Sequence, residues 1–177
     1  MFFKKKQTAK QVFLKHYISC LEITKESPII NSKDVVFEVL VALYTICDYA
    51  AVNSGKNRGA IYDMVFDIIH DSPALYCFNT RTAFDARYSL YAEVIRGKPL
   101  RCEWYLGGDP SDFQQNAFTK ITALLCDILY NPDCADDYDN AQMCIWGLAE
   151  SITFIQDVFK PLFAEIVYLF NEIYSLK

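Results

Sequence analysis

The sequence predicts an all-α protein, a single-domain bundle of about seven mostly antiparallel helices. Three observations carry this prediction. Apolar residues recur at helical spacing through nearly the whole chain. Gly and Pro number only 6 each, and most fall between the periodic stretches, so they read as punctuation between helices. Residues 100–105 alternate apolar and polar side chains, but no second such stretch stands ready to pair with them as a sheet. A chain of 177 residues is enough for one core and short for two, so residues 1–177 are read as one helical domain. Residues 1–6, with Lys4, Lys5 and Lys6, are read as a disordered basic start.

The first helix is expected over residues 7–24, where Val12, Phe13, Tyr17, Cys20, Leu21 and Thr24 share one side; Ser27-Pro28 stops it. A second is expected from Ser32, as cap, through the apolar body 35–52. Asp34 suits the positive end of its dipole. Some eighteen residues without a breaker is too long for a strand. The loop 53–59 follows, then a helix over 60–70 with Ile61, Val65, Ile68 and Ile69 inward. Residues 80–96 make the fourth, with Gly97 as its C-terminal cap and Pro99 barring continuation. The fifth is expected from a cap at Asp109 or Ser111 to residue 130, closed by Asn131-Pro132. A sixth is placed over 141–159 and a seventh over 162–176; Pro161 either opens the seventh or kinks one long helix. That last stretch is apolar nearly all round, broken by Glu165 and Glu172, so it is either packed centrally or covered by a partner. Helices two, five and seven are expected to be central. Residues 35–65 and 116–146 also align at a fixed offset, through Phe37 with Phe118, Leu43 with Leu124 and Tyr49 with Tyr130. That spacing suggests two related three-helix halves plus a C-terminal helix.

Composition narrows function. The net charge of −5 disfavours nucleic acid as a partner, because phosphates repel an acidic surface without clustered bases. Arg81, Arg87, Arg96, Lys98 and Arg101 are diluted by Asp85 and Glu93. Charged residues interrupt every apolar run before about 18 residues, which argues against a membrane span. Seven widely spaced cysteines with no C-x-x-C pair read as reduced, buried thiols, and place the chain in the cytoplasm.

Site chemistry is sparse. Asp67 and His70 have the i, i+3 spacing of carboxylate-bridged metal bundles, but the motif occurs once and the chain holds only 2 histidines. Ile68 and Ile69 mark the inward face there, so the pair is read as solvated and only a weak metal candidate. His16 and Cys20, at i, i+4, read as a boundary histidine beside a packed thiol. Glu38, Asp48, Asp127, Glu150 and Asp157 interrupt apolar helices, and most are expected on an exposed edge. The acidic stretch 133–140 lacks the glycine and terminal glutamate of a calcium loop and reads as solvent-facing. No cofactor loop or catalytic triad is present, and no cofactor is expected.

Aromatic residues, 15% of the chain, are the compositional excess. Large rings serve cores and interfaces alike. The expected function is therefore non-catalytic protein binding, as an adaptor, inhibitor or immunity-type partner. Asp136, Asp137 and Tyr138 in the acidic loop would meet a basic partner surface, and Tyr168, Phe170 and Tyr174 on the last helix a partner or a second copy of the chain. The rival expectations are a bundle holding an apolar small molecule in an internal cavity, and a metal- or carboxylate-dependent enzyme.

Overall fold

Twenty consecutive residues, Val35–Ser54, are apolar on nearly every side, and they form the helix around which the others assemble. The computed structural model describes residues 7–27, 30, 34–72, 80–98, 100, 116–131, 134, 137–140 and 152–176. The protein is all-α: the described residues are nearly all helical and include no strand. In chain order they form α1 (Ala9–Lys25), α2 (Val35–Ser54), α3 (Arg58–Asp71), α4 (Thr80–Arg96), α5 (Ala117–Tyr130), a π-helical segment (Ile155–Phe159) and α6 (Lys160–Ser175). Helix α2 touches all five other α-helices. By length and composition it is the described helix apolar enough to cross a membrane, yet 78% of its most apolar window is buried in the protein.

Local chemistry sets the ends. Thr8 Oγ1 accepts from the Gln11 N–H while Gln11 Oε1 accepts from the Thr8 N–H, a reciprocal capping box that starts α1. Gly55, at φ 65°, takes the left-handed turn that ends α2. Asn57 then caps α3 through the Gly59 and Ala60 N–H groups, so the loop expected over 53–59 narrows to three residues. Gly97 ends α4 as expected, with Lys98 N–H donating to Glu93 O.

One expectation is corrected and two are refined. Helix α5 starts at Asn116, whose extended backbone and side-chain bond to the Phe118 N–H fix the cap there, not at Asp109 or Ser111; those two lie outside the described residues. Of the two alternatives at Pro161 the structure shows one continuous helix: residues 152–175 are helical throughout, and the turn before the proline widens so that Lys160 N–H donates to Ile155 O. Finally, α6 packs against α1, α2 and α5 as a central helix would, but it is only partly enclosed. Helices α2 and α5 are buried on most sides, but α6 buries one stripe, Leu162, Ile166, Leu169 and Ile173, and leaves Tyr168 and Tyr174 about half exposed. Ser32, residues 101–115 and 141–151 lie outside the described residues, and so does most of the expected sixth helix.

Candidate functional site

Polar side chains collect first on the seam between α1 and α6. His16, only 2% exposed, places Nδ1 2.5 Å from Glu165 Oε2 and Nε2 3.5 Å from Glu172 Oε1. Lys15 Nζ donates to the same Glu172 oxygen at 2.7 Å. That hydrogen bond, with the charges of His16 and Lys15 adding to it, holds the Glu172 carboxyl below the usual carboxylate range. Cys20, one turn along, is fully buried, and burial with the nearby Glu165 charge pushes its thiol up to about 12. A thiol so far from ionising is not a nucleophile at neutral pH. The two imidazole nitrogens address different carboxylates from opposite edges of the ring, so the group ties two helices together and does not converge on one ion. His16 is thus a core residue, not a boundary one, and Glu165 and Glu172 are its partners.

Among the described residues, three of the acids that interrupt apolar helices, most of them expected on exposed edges, are buried. Glu38 in α2 is 1% exposed, with Oε1 3.1 Å from Arg87 Nε in α4. Burial pushes its carboxyl up from 4.5 to about 7, against the pull of the Arg87 charge. Asp48, also in α2, receives Arg58 in two parallel bonds, Nε to Oδ1 at 2.6 Å and an η-nitrogen to Oδ2 at 2.8 Å; the Tyr88 hydroxyl donates to Oδ2 at 2.8 Å. Asp127 in α5 is fully buried and accepts from the Tyr138 hydroxyl at 2.9 Å. Each acid has a donor from another element, which is what makes its burial tolerable. Asp157, in contrast, is exposed, and Glu150 lies outside the described residues.

The predicted contact loop changes accordingly. Tyr138 is 6% exposed and Cys134 1%, so these two side chains turn inward, while Asp137, Asp139 and Asn140 face solvent as expected. Asp137 is exposed and accepts from the Asn140 backbone and side-chain amides, as a turn residue does. Asp136 lies outside the described residues. Asp67 and His70 both face solvent, the imidazole 83% exposed. Among the described residues no group of three or more His, Cys, Asp or Glu converges as a metal site. A groove of about 460 Å³, open to solvent, runs between the start of α1 and the end of α6, past Thr8, Lys56, Ile61, Ile173 and Leu176.

Two of the aromatic groupings among the described residues join three or more rings from different elements. One is internal: Tyr44 meets Phe84 and Tyr88 edge-on at 5.0 and 5.2 Å, and Phe66 meets Tyr62 and Phe84. The Arg81 guanidinium covers the faces of Phe66 and Tyr62 at 5.1 and 5.6 Å. The other reaches the surface. Phe170 packs edge-on against Phe118 at 4.9 Å, leans on Tyr49 at 5.8 Å and stacks with Tyr174 at 5.7 Å. Lys56 sits over the Tyr174 ring and donates to the Ile173 and Tyr174 carbonyls, fixing the last turn of α6. Tyr168 is 58% and Tyr174 49% exposed. Of the predicted contact residues, Tyr168, Phe170 and Tyr174 therefore share one helix, and Phe170 and Tyr174 one ring cluster, while Tyr138 stands apart in the core. The sequence missed Tyr49, Phe118 and Lys56 as neighbours of that cluster, because side chains from three elements meet there. Comparison with protein families, curated proteins and solved structures finds no match.

Proposed function

We propose that this chain is a non-catalytic, cytoplasmic protein-binding domain, an adaptor, inhibitor or immunity-type partner, and that its contact surface is the outer face of α6. The observation behind the proposal is the mismatch between the helix and its packing. An almost wholly apolar helix belongs in a core or under a partner, and α6 buries a single stripe while holding Tyr168 and Tyr174 out. Half-exposed tyrosines on a rigid helix supply contact area at little entropic cost. The net charge of −5 favours a partner with a basic surface, and a second copy of this chain is the alternative occupant. We also propose that residues 1–177 form one bundle of mostly antiparallel helices, with 35–65 and 116–146 as related halves. In support, α2 and α5 are both nearly enclosed and both carry interior carboxylates.

The rival readings have less behind them. An apolar small molecule would want an enclosed chamber, and the groove beside Ile61 and Ile173 is open. A metal enzyme would want His70 turned inward. The buried Glu38, titrating near 7, suits acid–base chemistry, but at 1% exposure it has no contact with a substrate.

The test places a photo-crosslinking phenylalanine analogue at residue 168, at residue 174, and at the exposed α3 position 63 as control, in the native cell. One adduct of defined mass at 168 and 174, missing at 63, agrees with the proposal. Twice the chain mass identifies a second copy. No adduct, or the same scatter of adducts at all three positions, refutes it.

A further inference from the structure

The junction of α2 and α4 leaves two sealed polar atoms without a protein partner. Glu38 spends Oε1 on Arg87, but Oε2 meets no hydrogen-bonding group. Tyr91 stands one helical turn beyond Arg87 on α4, with its ring wholly buried, and its hydroxyl is likewise unpaired. Arg87 and Tyr91 are four residues apart on the same side of α4, and Arg87 reaches Glu38 at 3.1 Å, so the hydroxyl and the carboxylate face a common region of the interior.

We propose that Glu38 Oε2 and the Tyr91 hydroxyl bracket an internal water-binding site. The chemistry of the pair selects the occupant. The Glu38 oxygen accepts hydrogen bonds when ionised and donates one to the same water when protonated, while a phenol both donates and accepts. A water molecule donates one proton to Oε2 and accepts the phenolic proton, so both oxygens are satisfied at once. A cation is disfavoured by the Arg87 guanidinium already on the carboxylate, and an anion by the carboxylate itself. Nothing larger reaches a place where Glu38 is 1% and Tyr91 0% exposed. Buried polar atoms are almost always paired, and internal water is the usual partner when the protein supplies none. This site is independent of the contact surface on α6.

Oxygen-17 magnetic relaxation dispersion counts water molecules held inside a protein for longer than its tumbling time. Tyr91→Phe deletes the hydroxyl and keeps the ring, and it is expected to lose one long-lived water relative to the unaltered protein. An unchanged or higher count overturns the proposal. If Tyr91→Phe does not fold, a high-resolution crystal structure of the unaltered protein decides. Density within hydrogen-bonding distance of both oxygens agrees with the site; the two oxygens bonded to each other, or either bonded to another protein group, overturns it.

Discussion

Glu38 makes the stability of this protein depend on pH in a way that most carboxylates do not. Its side chain is 1% exposed, and burial raises its carboxyl from 4.5 to about 7, while Arg87 at 3.1 Å restrains the rise. The folded protein therefore holds this proton more tightly than the unfolded chain. Stability from this group is complete below about pH 4.5 and is lost as pH rises through about 7. One pH unit across that window is worth about 1.4 kcal/mol, so the whole window amounts to about 3 kcal/mol. Glu38→Gln keeps the shape and removes the titration. Urea unfolding of both proteins at half-unit steps from pH 4 to 8.5 isolates the effect, because every other group cancels in the difference. The unaltered protein should lose about 3 kcal/mol relative to Glu38→Gln across the window and level off above it. A constant difference, or one that favours the unaltered protein as pH rises, refutes the reasoning and means that the guanidinium outweighs desolvation.

Other perturbations read neighbouring parts of the structure. Arg58→Lys replaces two parallel bonds to Asp48 by a single point charge, and should cost about 1–3 kcal/mol in urea unfolding because Asp48 stays buried. Lys56→Met removes the donor that holds the Ile173 and Tyr174 carbonyls; faster amide exchange confined to the last turn of α6, with a global loss of no more than about 1 kcal/mol, is the expected outcome.

Much of the helix plan was legible because it rests on local rules. Gly97 in its left-handed turn and the predicted start and end of α4 follow from propensity and breakers alone. The capping box at Thr8 and Gln11 has the S/T-x-x-E/Q spacing and was open to the same reading. The cap at Asn116 was missed because Asp109 and Ser111 offered an equally good local signal upstream. The polar interior was not legible for a different reason. Nothing near Glu38 in sequence announces Arg87, and nothing near His16 announces Glu165, 149 residues away. An acid in an apolar helix reads as an exposed edge until its partner is known. Tyr138 shows the same limit: it stands among eight residues rich in Asp that look solvated, yet its own side chain turns inward and its hydroxyl finds Asp127. The aromatic surface was half legible, since Tyr168, Phe170 and Tyr174 lie on one helix, whereas Tyr49 and Phe118 join them only in three dimensions.

The widened turn before Pro161 sets the rotational phase of the last helix. In an unbroken α-helix the eight steps from Phe154 to Leu162 would turn through about 800°, leaving those residues roughly 80° apart around the axis. A turn that absorbs one extra residue leaves about seven effective steps, or roughly 700°, and brings the two within about 20° of each other. Phe154 and Leu162 are both fully buried, as that alignment requires. A one-residue change in length at Ile155–Phe159 would thus act as a rotation more than as a translation. It would swing the tyrosine face of α6 about a quarter of a turn relative to the chain that precedes it, and the orientation of that face is set by five residues that are not on it.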